Sequence, residues 1–208
     1  RMTGDGPGMD FSPWALAASA AALFAVDPSS LGVALRAAPG PVRDSWLQSL
    51  RAMLPASAPV LRMPLNISDE RLLGGIDLSA SLNAGRLIAS RGLLAEADGG
   101  VLVVAMAERL GALPNAVISA SVDFGEVALE REGLAGRSPA RFGVVALDEG
   151  AGDDEGAPAS LMDRLAFHID LSSIPPREAQ NAAFSAREIA AARARLNTVT
   201  VASDMIDG

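Results

Sequence analysis

Residues Gly99–Leu110 read GGVLVVAMAERL. Two glycines open the stretch, six apolar residues from Val101 to Met106 follow without a polar interruption, and charge returns at Glu108-Arg109. An unbroken Val-rich run that follows a turn and leads into a helical segment is the pattern of a strand buried on both faces, as in a parallel sheet. The flanking sequence repeats the theme. Upstream, Leu31–Arg36 reads as a strand, Ala37-Ala38-Pro39-Gly40-Pro41 as a loop, and Val42–Leu54 as a helix. Ser57–Ile67 reads as a second strand centred on Val60, Leu61 and Met63. Short helical turns are expected at Ser68-Asp69-Glu70 and over Asp77–Asn83, the latter closed by Gly85. Downstream, a helix is expected over Glu108–Val122, interrupted near Pro114. A hairpin of Glu126–Glu132 and Leu134–Arg137 joined at Gly133 follows it. Phe142–Leu147 and Ala166–Leu171 complete the set of core strands, separated by the Gly/acidic loop Asp148–Pro158 and a short helix, Ala159–Arg164. Strands alternating with helices imply an α/β fold with a parallel sheet.

The two ends differ from this core. Trp14–Val26 is an Ala/Leu run of 13 residues, too short for a membrane span of about 20. It lacks the basic flank of a signal peptide. It reads as a buried amphipathic helix with Ser12 as N-cap and Pro13 in its first turn. At the other end, Pro175-Pro176 breaks the chain before an Arg/Ala-rich helix over Ala186–Leu196. A boundary near Ser173 is expected, with residues 1–173 as the α/β core and 174–208 as the start of a helical part cut short.

Composition removes whole chemistries. The chain of 208 residues has no Cys, no Tyr and no Lys, so its 17 basic residues are all Arg, and its only His is His168. A disulfide, a zinc–thiolate site, a Cys nucleophile, a Lys Schiff base, a two-His metal motif and the Lys of a working phosphate-binding loop are all impossible. The net charge of −8 and the absence of a basic run argue against nucleic acid as a partner. No targeting segment is recognisable, which makes the cytoplasm the expected compartment.

Four places carry candidate chemistry. The loop around Gly40 sits where a strand-to-helix phosphate loop would be, but two prolines remove amide donors and no Lys-Ser/Thr pair follows. At the end of the Val101–Met106 strand, a nucleotide hydrolase carries Asp-Glu, one carboxylate for magnesium and one to polarise water. Ala105 and Met106 can do neither. Asp77-Leu78-Ser79-Ala80-Ser81 spells DxSxS, a cation-binding pattern, yet it lacks the preceding apolar strand such a site requires and reads as a helix start. The acidic loop Asp148, Glu149, Asp153, Asp154 and Glu155 reads as solvated, and no metal site is expected. His168, between Phe167 and Ile169, reads as structural.

In order along the chain, "ISDERLLGGIDLSASL" (67–82), "GLLAEADGG" (92–100), "LEREG" (129–133), "SPARF" (138–142) and "LMDRL" (161–165) resemble the AAA+ part of the magnesium chelatase family, which inserts magnesium into protoporphyrin IX. The resemblance spans Trp14 to Pro175. It implies an AAA+-type parallel sheet flanked by helices, a β-hairpin insertion and the start of a helical lid. The family's Gly-Lys-Ser/Thr aligns with Val42-Arg43-Asp44, its Asp-Glu with Ala105-Met106, and its sensor Asn falls nearest Glu149. With three nucleotide-handling elements altered, the chain looks like the D-type subunit and not the ATPase I subunit, and reads as an N-terminal fragment lacking the family's linker and integrin-like domain.

The resemblance implies a non-hydrolysing ring subunit, with the ATPase I subunit and the porphyrin-binding H subunit as partners. It also implies ATP and Mg²⁺ used by the complex, with none held firmly by this chain. Gly40 and Arg43 are then remnants of the phosphate loop. Arg164 matches the position of an arginine finger reaching a neighbour's nucleotide. Arg131 and Arg141 are lesser candidates for subunit contacts or hairpin packing. An active ATPase of the same superfamily, or an interaction module of an unrelated AAA+ assembly, are the alternatives.

Overall fold

The computed structural model describes residues 12–131, 134–150, 152, 155–179 and 184–198. Five strands, β1 (Gly32–Arg36), β2 (Val60–Met63), β5 (Val101–Val104), β8 (Gly143–Asp148) and β9 (Phe167–Asp170), form one parallel sheet in the order β2-β5-β8-β1-β9. The Val101–Val104 run is buried on both sides, as its continuous apolar character predicts.

Alternation along β8 shows how one strand feeds two cores. Val145 and Leu147 face a cluster containing Phe24, Leu35, Trp46 and Leu50, whereas Val144 and Ala146 face one containing Leu72, Leu94, Ile118 and Leu161. The first cluster is covered by α1 (Pro13–Val26), α2 (Pro41–Met53) and α8 (Ala186–Arg195). Trp46, fully buried in α2, donates its indole N–H to the Ala17 carbonyl of α1 at 2.8 Å, which satisfies the one polar atom of a large core side chain.

Ser12 caps α1 as expected, its side chain accepting from the Ala15 N–H at 3.2 Å, with Pro13 in the first turn. The helix departs from the amphipathic expectation. Ala17, Ala18, Ala20, Ala21, Ala22 and Ala25 are buried on several faces, and Leu16 and Leu23 are exposed. Small alanines let neighbouring elements approach the helix from more than one side.

The second layer holds α3 (Asp69–Leu73, capped by Ser68), α5 (Leu93–Glu96), α6 (Ala112–Phe124) and α7 (Ala159–Met162). Pro114 does not interrupt α6. It sits in the first turn, where its missing N–H has no intrahelical partner to lose, and the break lies upstream at Gly111, the N-cap. A hairpin of β6 (Glu126–Arg131) and β7 (Leu134–Pro139) is antiparallel as expected, and its tip at 132–133 lies outside the described residues.

A second small hairpin, β3 (Gly74–Ile76) with β4 (Ala89–Arg91), is an addition to the expected elements, enclosing α4 (Leu78–Ala84). Three-residue strands carry too little alternation to be read locally. Their pairing depends on Gly74, which has φ of +104° and where a Cβ would meet the Ser90 carbonyl oxygen at 2.6 Å.

Residues 174–198, where described, extend the first core. Ile174, Ala179 and Ile189 are buried in it, and the Arg193 guanidinium donates to the carbonyls of Ala25 and Val26 at the end of α1. A capping box of Ser185 and Glu188 starts α8.

Candidate functional site

In open α/β sheets, ligands bind at the carboxyl ends of the strands, where the strand order reverses. Here β8 lies between β1 and β5, so that edge gathers the loop after β1, the first turn of α2, the turn after β5 and the loop after β8.

Arg43, in the first turn of α2, is only 6% exposed and donates from Nη1 to Glu149 Oε1 at 2.6 Å. Glu149 immediately follows β8, and its side chain is 14% exposed. The Glu149 backbone N–H donates to Glu108 Oε2 at 3.0 Å, and the Glu108 side chain, in the single 3-10 turn after β5, is 7% exposed. Arg36, at the end of β1, donates from Nη2 to the carbonyls of Gly150 and Gly152 at 3.1 and 2.7 Å. Asp148 is buried, and its carboxylate accepts from the Gly150 N–H at 2.9 Å.

The beginning of the acidic loop is therefore not solvated, contrary to its composition. Asp148 and Glu149 are drawn inward because β8 is central, Arg43 meets the Glu149 carboxylate, and Arg36 holds the carbonyls of Gly150 and Gly152 just beyond. Asp153 and Asp154 lie outside the described residues. Among the described residues, no group of three or more His, Asp or Glu side chains could hold a metal ion.

These residues do not fit a hydrolytic magnesium–nucleotide site. Gly40 is the N-cap of α2 in extended conformation, and a Cβ there would meet nothing within 4 Å, so no close backbone cradle depends on it. Pro39 and Pro41 lack N–H groups on either side of it. Arg43 is committed to Glu149. At the end of β5, Ala105 is buried and Met106 has φ of 50° and ψ of 53°, the one positive φ at a non-glycine among the described residues. Such a conformation costs about 1–3 kcal/mol and concentrates at functional edges. Here it presents a thioether, which neither binds a hard cation nor moves a proton.

Arg164 stands elsewhere. It makes a bidentate pair with Asp123 of α6, Nε to Oδ1 at 2.8 Å and Nη2 to Oδ2 at 2.6 Å, and Nη1 donates to the Ser160 carbonyl. With Ser29, Ser30, Gly32 and Phe142 it lines a small cavity at the amino ends of β1 and β8, the opposite sheet edge from Arg43. The side chains of Arg164 and Asp123 are 31% and 38% exposed, so the pair is accessible from outside.

The Arg164 hydrogen bonds hold the Asp123 carboxyl below the ordinary carboxylate value, and Asp123 in turn raises the Arg164 guanidinium. A depressed folded pKa means that the pair's contribution is complete above the unfolded value of about 3.9 and is lost as pH falls through the folded value. A carbon-detected NMR titration should place the Asp123 midpoint below that of an unpaired Asp. Arg164→Ala should return it upward, and an ordinary midpoint in the unsubstituted chain would refute the pairing.

Other singled-out residues have structural tasks. The Asp77 carboxylate accepts from the Ala80 N–H at 2.9 Å as the cap of α4, and Ser81 Oγ accepts from the Ile88 N–H at 2.8 Å, which accounts for two positions of the DxSxS string. His168 Nε2 lies 3.1 Å from the Leu165 carbonyl and 3.2 Å from that of Met162, bracing the turn into β9. Arg141 is exposed at the base of the hairpin, its N–H donating to Asp98 Oδ1 at 2.8 Å. The Arg131 side chain lies outside the described residues. Sequence reasoning missed Glu108, Arg36 and Asp123. All three are ordinary charged residues whose hydrogen-bond partners lie 41 or more positions away, so no local spacing marks them.

No family model matches the chain. It is 40% identical to the Magnesium-chelatase 60 kDa subunit of Cereibacter sphaeroides over 192 residues, 92% of this chain and 31% of the relative. It is 33% identical to the Magnesium-chelatase 67 kDa subunit of Chlorobaculum parvum over 162 residues, 76% of this chain and 25% of the relative. The 38 kDa subunit of the Cereibacter enzyme matches at 31% over 64% of this chain. Among solved structures, a model of the complex between subunits BchI and BchD of magnesium chelatase, based on cryo-electron microscopy, shares the fold. Its TM-score is 0.60 at 23% identity, covering 88% of this chain and 73% of that one. The expected AAA+-type sheet is thus present, and the chain spans 31% or less of the length of the 60 and 67 kDa relatives. Over the residues it covers, this chain is thus similar to the magnesium-chelatase 60 and 67 kDa subunits, and it has an AAA+-type α/β fold.

Proposed function

We propose that this domain is a non-hydrolysing AAA+ platform of a magnesium chelatase. It would assemble in a ring with the ATPase I subunit and pass ATP-driven changes to the porphyrin-binding H subunit, for insertion of Mg²⁺ into protoporphyrin IX. ATP and Mg²⁺ are then used by the complex and not held firmly by this chain. The carrying observation is the ion pair of buried Arg43 with partly buried Glu149. The arginine that stands in the phosphate loop already has an anion, and the neighbouring strand end offers Ala105 and Met106 where catalysis needs carboxylates.

Arg164 lies on the opposite sheet edge, so any action on a nucleotide must be on a neighbour's. Residues 174–208 would begin the lid, with α8 docked on α1 and α2. No described helix is long and apolar enough to cross a membrane, which accords with a cytoplasmic assembly. The net charge of −8 accords with protein partners over nucleic acid.

Purified chain mixed with magnesium and ATP should release phosphate at the rate of the buffer control, and should co-purify with an I subunit when both are supplied. Turnover above the control would overturn the non-hydrolysing assignment, and failure to co-purify would overturn the partnership.

A further inference from the structure

We propose that the open edge of β2, with the groove between it and α2, is a docking site for an extended acidic segment of a partner protein, which adds to the sheet as one more strand. β2 stands at the end of the strand order and pairs only with β5. The Val101 N–H donates to the Pro59 carbonyl at 2.8 Å, and the Ala105 N–H to the Met63 carbonyl at 3.4 Å. Alternate residues of a strand address opposite neighbours. The N–H and C=O groups of Val60 and Arg62 therefore point to the open side, and no hydrogen bond reaches them among the described residues.

The space beside that edge is apolar. A groove of about 330 Å³ is lined by Leu47, Leu50 and Leu54 from the α2 side and by Val60 and Val103 from the sheet. The three leucines recur at the spacing of one helix face. A strand laid along β2 would place alternate apolar side chains in this groove, while main-chain bonds to Val60 and Arg62 supply affinity.

Charge fixes the sign of the partner. Arg51 and Arg62 line the same groove, both are exposed, and neither has a hydrogen-bond or ion-pair partner among the described residues. No carboxylate lines it. A charge on an edge strand refuses unwanted pairing. Here it refuses a basic strand and admits an acidic one. It also argues against a second copy of this chain, because a two-fold pairing of β2 with β2 would bring the same arginines together across the interface. Neither Arg43 nor Arg164 lines the groove, so this site stands or falls independently of the chelatase reading.

The test uses a dye-labelled synthetic peptide, Glu-Thr-Val-Thr-Val-Thr-Glu, whose Glu and Val side chains share one face when extended. Binding is read by fluorescence anisotropy. The chain should bind it saturably, and should bind the same peptide with Lys in place of Glu about tenfold more weakly, because attractive pairs become repulsive. Arg51→Glu combined with Arg62→Glu should invert that preference. Both residues are exposed, and a circular dichroism melt checks that the fold persists. N-methylated peptides separate main-chain pairing from side-chain contact on the unsubstituted chain, whether or not the double variant folds. The Val amides face β2 in antiparallel addition and the Thr amides in parallel addition, so methylation of one set should abolish binding. No saturable binding of the acidic peptide, equal binding of the acidic and basic peptides, an unchanged preference in a folded double variant, or binding that survives both methylations would overturn the proposal. So would a dimer of the chain, seen by analytical ultracentrifugation, that the acidic peptide dissociates, since a second copy would then be the occupant.

Discussion

Arg43→Met is expected to lower the unfolding free energy by about 3–5 kcal/mol, the usual cost of leaving one member of a buried ion pair without its partner. The deletion leaves Glu149 ionised in a space where its side chain is 14% exposed and where its own backbone is tied to a second buried carboxylate, Glu108. The Glu149 carboxylate then has no buried cation beside it, and Glu108 keeps only the exposed Arg109 at 3.8 Å. Urea unfolding followed by circular dichroism reads the loss as a shift in midpoint at constant slope. Adding Glu149→Leu should recover most of it, since an apolar pair of similar volume avoids the desolvation cost of both ions. A single variant within about 1 kcal/mol of the parent would mean that water screens the pair, and the commitment of Arg43 to Glu149 would be wrong.

Arg164→Ala should act on a different level. In a reconstituted complex it is expected to slow ATP turnover by on the order of 10³-fold at each nucleotide site that this domain completes, the usual worth of an arginine finger. The unfolding midpoint of the domain alone should barely move. Both members of the Arg164–Asp123 pair are open to solvent, and exposed pairs contribute little to stability. Asp123→Asn provides the control. It retains one oxygen for the guanidinium and frees the arginine from its charge partner, so turnover should change far less than with Arg164→Ala. Unchanged turnover in the Arg164→Ala complex would exclude the finger role and leave the pair as a tie between α6 and α7.

Much of the fold was legible because its signals are local. The Val101–Val104 strand is a continuous apolar run, Ser12 caps α1 in the residue before Pro13, and Asp77 and Gly85 bracket α4. Each depends on neighbours within one or two turns. The β3–β4 hairpin was not legible, because its strands pair across 15 residues and rest on a glycine whose conformation no local pattern announces. Pro114 misled for the opposite reason. A proline in a helical stretch reads as a break until the true N-cap shows that it lies in the first turn.

The candidate site divides along the same line. Residue types alone establish what is absent from the family's pattern: the chain has no Lys, and Ala105-Met106 follow the Val101–Val104 run where the family carries Asp-Glu. What stands at those positions was decided only in three dimensions. Arg43 and Glu149 are 106 residues apart, and the acidic loop that holds Glu149 has the composition of a solvated segment. They meet because β8 inserts between β1 and β5, which sets the loop after one strand beside the helix that follows the other. Charge pairing of this kind follows strand order, and strand order is settled by which apolar faces bury together, a property of the whole chain that no single stretch of it contains.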